Sequence, residues 1–322
     1  MPPARQARYG LRLRAVGARN VHVRRPDRGD APRIAAFLST HAARSGGETT
    51  PSATEVEHWL SLGMYVFWIA EASGELVGYL DANERPGRER YGLDVRSLGR
   101  EGAAAVLSEA LAWAEPRAAE GALVHAWAST GDTETAAVLE DAGFRHIRYE
   151  LEMRIELEDE PPEPDWPDGI AVRAFRPAED DEAVWRADQE SFADHWEYTP
   201  DPLEDFRAAV VGHPGFDPEL FFLAVAGEEL AGFAFCLIRD LGEPVGWVDI
   251  LGVRRPWRRR GLGLALLRHS FRELRARGAG WAGLEVDAEN LTGAVRLYER
   301  AGMRPAHQVA IYERALDPAR AG

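Results

Sequence analysis

The stretch "RRPWRRRGLGLALL" (residues 254–267) sets five arginines around a tryptophan and then passes into glycines and an apolar run. It follows "VGWVDILGV" (245–253), which has the composition of a buried strand. Beyond it, Leu264, Leu266, Leu267 and Phe271 recur at helical spacing until Gly278 stops the pattern. The order is therefore strand, glycine turn, helix. Such a turn aims several main-chain N–H groups at one point, and the helix N-terminus adds the positive end of its dipole. Gly261 and Gly263 have no Cβ, so the backbone can lie against an anion, and arginines supply forked donors. This chemistry suits a pyrophosphate. The G-K-[ST] ending of a Walker loop and the G-x-G-x-x-G of a dinucleotide fold are both missing.

The rest of the chain limits what that turn serves. With 322 residues the length fits two domains of about 150 residues each. A net charge of −15 argues against a nucleic-acid partner, because a phosphate backbone repels such a field. Every basic residue other than histidine is arginine, so a Schiff-base lysine is excluded. The single cysteine, Cys236, lies in the apolar run "LAGFAFCLI", which predicts a buried core thiol in a reducing cytoplasm. No stretch has the roughly 18 apolar residues of a membrane span. The first 28 residues carry eight arginines and one acid and lack the apolar centre of a secretory signal; residues 1–21 are expected to be a basic tail. No His/Cys spacing supports a metal site.

The chain also repeats itself. "EDAGFRHIRYELEMRIEL" (140–157) matches "ERAGMRPAHQVAIYERAL" (299–316), with Gly143 opposite Gly302. The same offset of 159 sets Gly102 opposite Gly261. Two copies follow, 22–157 and 169–318, joined by the acidic, proline-rich linker 158–168. Each copy reads as strand, helix, an apolar hairpin around a Gly-Glu turn, strand, long helix, strand, short helix and final strand. The predicted fold class is a mixed α/β (α+β) sheet flanked by helices. By the same offset Arg258 falls opposite Gly99, Asn290 opposite Gly131 and Tyr298 opposite Leu139. The N-terminal copy has therefore lost the charge, amide and phenol of its partner. It is expected to be a degenerate scaffold, although Gly102 and Ala104 leave room for a surviving turn.

Arg258, Gly261 and Gly263 match the [QR]-x-x-G-x-[GA] signature of the GNAT acetyltransferase superfamily, directly after a strand ending "LGV". Downstream, "VDAENLTGAVRLYERAGMRP" (286–305) resembles the strand–Asn–helix–Tyr–Ala-Gly segment of the same superfamily. The resemblance is strong over 170–316 and weak over 22–157. The tandem arrangement is similar to the mycothiol synthases and related actinobacterial acetyltransferases, but Glu285 stands where an aromatic residue is expected in a mycothiol synthase. The resemblance implies two tandem domains, each a mostly antiparallel, V-splayed sheet, with acetyl-CoA as cosubstrate and transfer to a primary amine in a ternary complex. It implies that the main chain of Leu251, Gly252 and Val253 pairs with the pantetheine arm. Main-chain N–H groups of Arg258, Arg259, Arg260, Gly261, Leu262, Gly263 and Leu264 would hold the pyrophosphate, and Asn290 would contact the CoA arm. Tyr298 would protonate the leaving thiolate.

Other roles stay open between two readings. Asn290 also fits helix capping, and Tyr298 also fits packing. Period-2 alternation puts Trp247, Asp249, Leu251 and Val253 on one face, so Asp249 either accepts the amine's proton through water or anchors an arginine. "SFADHWEYTP" (191–200) offers Asp194, His195, Glu197 and Tyr198 to a cationic acceptor, or serves only as a packed helix end. The acceptor expected is a small-molecule or peptide amine, without membrane or nucleic-acid partners, bound by a monomer or a homodimer. A non-catalytic CoA-binding or sequestering module is the alternative to an enzyme, and Tyr298 separates the two.

Overall fold

The computed structural model describes residues 21–47, 50–85, 88–196, 198–240, 243–290 and 293–317. The first half runs β1 (Val21–Arg24), α1 (Ala31–Ser45), α2 (Ala53–Ser61), β2 (Tyr65–Ala72), β3 (Glu75–Glu84), β4 (Arg90–Ser97), α3 (Arg100–Ala114), β5 (Leu123–Ser129), α4 (Thr133–Asp141) and β6 (Arg145–Glu156). The second half repeats that order as β7 (Ile170–Ala174), α5 (Asp181–Phe192), α6 (Leu203–Phe206), β8 (Phe221–Ala226), β9 (Glu229–Asp240), β10 (Pro244–Val253), α7 (Leu262–Ala276), β11 (Trp281–Asp287), α8 (Ala294–Arg300) and β12 (Arg304–Ala315). The internal repeat read from the sequence is thus a repeat of structure.

Among the described residues, twelve strands join one sheet in the order β1-β2-β3-β4-β5-β12-β6-β11-β10-β9-β8-β7. Replacing every strand by its counterpart in the other half leaves this order unchanged. The final strands are exchanged: β6 of the first half pairs with β11, and β12 of the second pairs with β5. Only β4–β5 and β10–β11 are parallel; the other pairs are antiparallel.

Helices cover both faces. Leu262, Leu266, Leu267, Phe271 and Leu274 turn the apolar stripe of α7 onto Ala231, Ala234, Cys236 and Val248. On α3, the stripe Ala103, Val106, Leu107 and Ala110 does the same over β3–β5. The opposite face is covered by α1 through Ile34, Phe37 and Leu38, and by α5 and α6 through Val184, Ala187 and Phe206. Cys236 is fully buried, and burial pushes its thiol up to about 12, which fits a core residue rather than a nucleophile. The segment between the halves lies against α7. Arg275 donates to the carbonyl of Leu157, Arg272 donates to that of Pro161, and the Arg272 guanidinium pairs with Glu160 and Glu163. Among the described residues no helix is long and apolar enough to cross a membrane.

Candidate active site

The second half opens where its parallel strands part. β10 and β11 pair only at Gly246↔Ala282 and Trp247↔Gly283, then diverge. Gly283 permits this last contact, since a Cβ there would lie 2.3 Å from the Trp247 ring. Leu251, Gly252 and Val253 bond to β9 on one side, at Ala234, Phe233 and Gly232. Their other edge faces the gap, with no ladder partner among the described residues. An extended ligand can complete that edge as an added strand.

The strand carries a bulge at Asp249, because Val248 pairs with Cys236 and Ile250 with the adjacent Phe235. This changes the expected alternation. Trp247 and Ile250 pack on the α5 side, whereas Leu251 and Val253 pack on the α7 side. The four residues read as one face are therefore split by the bulge. Asp249, with a side chain 36% exposed, lies 4.0 Å from Arg239. Burial raises its carboxyl, while Arg239 and His213 oppose the shift. Arg239 also lies over the Trp247 ring at 4.7 Å and 3.8 Å from Glu55, a residue of α2 in the other half. His213 is 3.9 Å from the same Glu55. This inter-half group of Glu55, His213 and Arg239 carries no motif spacing, and sequence reasoning missed it.

The arginine turn occupies the eight residues Arg254–Gly261. Arg259 (φ 60°) and Gly261 (φ 88°) are left-handed, and Gly261 is the N-cap of α7. Gly261 has no side chain to cap that helix, and among the described residues no side-chain acceptor is seen at the first-turn N–H groups of Leu262, Gly263 and Leu264. Gly263 serves packing as well: a Cβ there would stand 3.1 Å from Leu297 on α8. Several of the turn's arginine side chains are engaged by the protein's own groups. Arg258 donates to the carbonyls of Val253 (3.1 Å) and Ser191 (2.9 Å) and to Asp194 (3.0 Å). Arg255 also donates to Asp194, Arg254 pairs with Glu190, and Arg260 lies over the Trp257 ring. Asp194 thus ties the turn to the end of α5.

Asn290 lies between β11 and α8, its N–H donating to the Asp287 carbonyl. Gly293 is the N-cap of α8, so Asn290 is not the capping residue. Tyr298 on α8 is 9% exposed, and burial pushes its phenol up to about 12, so it holds its proton at neutral pH. His195 packs edge-on against Phe192, with its pKa lowered chiefly by burial. Tyr198 donates to Gln189. Glu197 lies outside the described residues. Trp196, unremarked in the sequence, reaches into the first half: it meets the His125 ring at 4.8 Å, and the Arg148 guanidinium sits 4.6 Å from its own ring. A cavity of about 620 Å³ between the halves is lined by residues including Tyr65, Asn83, Asp188, Phe206 and Ile250. There burial and Asp201 push the Asp188 carboxyl up to about 7.

The corresponding region of the first half is tighter. β4 and β5 pair over five residues, Arg90↔Leu123 through Asp94↔Trp127, and Val95–Ser97 run on beyond the last pair, bonded to β3. Between β4 and α3 only Leu98 and Gly99 remain. Gly99 is the N-cap of α3 and so the counterpart of Gly261, which corrects the pairing of Gly102 with Gly261. Arg258 has no counterpart in so short a turn. Gly102 instead lets α3 approach β3, for a Cβ there would meet the Val77 carbonyl oxygen at 2.0 Å.

The parted strand pair, the uncapped glycine turn and the buried Tyr298 thus lie in the same half, in the order that the sequence resemblance implies. Residues 181–303 match the acetyltransferase (GNAT) family. The chain is 34% identical to mycothiol acetyltransferase from Salinispora arenicola, over 88% of its own length and 94% of that protein's. The match to the enzyme of the same name from Streptomyces scabiei is 40% identical but spans only 58% of this chain and 59% of that one. Among solved structures, the GCN5-related N-acetyltransferase from Sphaerobacter thermophilus superposes with a TM-score of 0.73 at 30% identity, covering 92% of this chain and 96% of that one. The chain belongs to the GNAT acetyltransferase family and is an N-acetyltransferase.

Proposed function

We propose that the second half transfers the acetyl group of acetyl-CoA to a primary amine of a small molecule or peptide, by direct attack in a ternary complex, and that the first half (22–157) is structural. The observation that carries this reading is the contrast between the halves: β10 runs six residues past its last pairing with β11, beside an eight-residue turn, whereas β4 runs three residues past its last pairing with β5, beside a two-residue turn. The pantetheine arm completes the free edge of Leu251–Val253, and the pyrophosphate accepts from N–H groups between Arg258 and Leu264. The amine nitrogen forms its bond to the thioester carbonyl carbon as the C–S bond breaks. Asp249 accepts the amine's proton through water, with Arg239 keeping its carboxylate available. Tyr298 gives its proton to the departing sulfur. Direct transfer needs no acyl-enzyme, in keeping with a buried Cys236 whose thiol stays protonated.

The names of the relatives put a mycothiol-type amine first among acceptors to test. Glu285, which stands beside Asp249 in the electrostatics of the cleft, is the reason to extend the test to cationic amines. The internal strand exchange favours a monomer, and the lone buried thiol fits a cytoplasmic setting. The test is thiol release from acetyl-CoA across an amine panel, wild type beside Tyr298→Phe. A Phe variant that binds acetyl-CoA normally but turns over at least tenfold more slowly supports the assignment; equal turnover refutes it.

A further inference from the structure

A second cavity, about 260 Å³, lies on the first half, beneath Trp196. Its floor comes from Asp81 on β3, Asp94 on β4, His125 and Trp127 on β5, and Glu150 on β6. Its roof, Trp196, belongs to the segment that follows α5 in the second half, so neither half makes the cavity alone. Asn83 and Arg85 line both this cavity and the larger one between the halves. The two spaces are therefore neighbours, and one elongated molecule can occupy both.

The lining defines the kind of group that fits. Asp94 is bonded to Arg96, which also faces Asp81, and Arg85 is paired with Asp201. Arg148 is held by Asp287 at 2.5 Å while its guanidinium covers part of Trp196. Glu150 differs from these carboxylates. The Trp127 indole donates to it, and Glu285 and Asp287 stand close by with the same charge sign. Burial and those neighbours push Glu150 up to about 7, with Arg96 opposing. Below that pH it carries a proton where a cation would relieve the repulsion. Tryptophan rings beside a carboxylate suit an ammonium group, whose charge the ring faces and the carboxylate both attract.

Building on the transfer reaction proposed above, we propose that this cavity receives a second, cationic group of the acceptor, so that the preferred acceptor is a compact diamine or polyamine whose far ammonium sits between Trp127, Trp196 and Glu150. The first half then contributes to the site of its partner while binding no CoA itself.

The probes are α,ω-diamines of four to eight carbons, each compared with the n-alkylamine of the same chain length. Thiol release gives kcat and KM, and calorimetry gives binding without turnover. At one or more lengths the diamine should show a KM at least tenfold below that of its monoamine. Glu150→Gln should remove most of that advantage while leaving the monoamine KM and kcat unchanged, and Trp196→Leu should weaken the diamine in the same selective way. Because the cation draws Glu150 into its charged form, diamine binding should release protons at pH 6.5 and tighten towards pH 8. Equal KM values for diamine and monoamine at every length overturn the proposal, as does Glu150→Gln affecting both classes alike. If no amine is acetylated but calorimetry shows Glu150-dependent diamine binding, the transfer reading fails and the cavity assignment stands. Turnover without any preference for a diamine gives the reverse result.

Discussion

Gly283→Ala tests the geometry at the apex of the cleft. The added methyl carbon would lie 2.3 Å from Cζ3 and 2.8 Å from Cε3 of Trp247, and 3.2 Å from Cζ3 of Trp281. Carbon atoms rest about 3.5–4.0 Å apart, so the Trp247 ring must retreat by more than roughly 1 Å. It has little room to do so: Trp247 and Trp281 are each 4% exposed, and the Arg239 guanidinium lies over the Trp247 ring. Overpacking of this kind costs about 1–3 kcal/mol. For 322 residues at about 2.1 cal/mol/K each, that corresponds to a fall in Tm of roughly 1–5 °C. Displacing Trp247 also moves Arg239, and with it the environment of Asp249, so the acceptor KM should rise more than the acetyl-CoA KM. Denaturant melts of the four members of a Gly283→Ala, Trp247→Leu cycle measure the coupling. In the background of the Trp247→Leu variant the alanine should cost at least about 1 kcal/mol less than in the wild type, by the overpacking range just given. Strictly additive costs, or an unchanged Tm in the single variant, would show that the ring does not confine residue 283.

Further predictions concern the two halves and the turn. Calorimetry should find one acetyl-CoA per chain, because the turn before α3 has two residues where the turn before α7 has eight; two equivalent sites would contradict this. Arg258→Lys should raise the acetyl-CoA KM about tenfold, since an ammonium cannot serve the Val253 carbonyl, the Ser191 carbonyl and Asp194 together as the guanidinium does. An unchanged KM would remove the side chain from the turn's architecture. Three raised carboxylates contribute stability that is lost as pH rises from about 4 to about 7, against an opposite contribution from His195, His213, His269 and His307, whose pKa values burial lowers. Glu150, Asp188 and Asp81 have folded pKa values pushed up to about 7, 7 and 6, so these three groups hold more protons in the folded chain than in the unfolded one in that window. Glu150→Gln should reduce that loss, raising Tm at pH 8 but not at pH 4; a parallel loss at both would refute the assignment of its proton. With Tyr298 pushed up to about 12, kcat should show no basic limb from this residue below pH 10.

The features legible in the sequence were local ones. Glycine at a left-handed N-cap, apolar spacing on α7 and the order of elements in each half all leave marks within a few neighbouring residues. The exchange of β6 and β12 left none, because "IRYELEMRIEL" and "QVAIYERAL" have the same strand character and either could close either half. The bulge at Asp249 was equally silent, since an extra residue in one strand shows only against its partner. The constant offset between copies failed at the turn for a definite reason: the first half is shorter there, so a glycine within α3 was aligned with the cap of α7. The cleft's inter-half contacts, Glu55 with Arg239 and His213, and Trp196 with His125 and Arg148, join separate segments that only the folded sheet brings together.

The palindromic strand order also bears on how the two halves are free to differ. Two identical chains that had traded their last strands would form this same sheet, and running the end of one into the start of the next along α7 would change none of its pairings. Identical chains, however, must keep identical sites, since one gene writes both. Once a single gene encodes the two in series, a deletion can shorten the turn before α3 without touching the turn before α7. The asymmetry between an eight-residue turn and a two-residue one, in halves each completed by a strand from the other, is thus a freedom that two copies in one chain have and two identical chains lack.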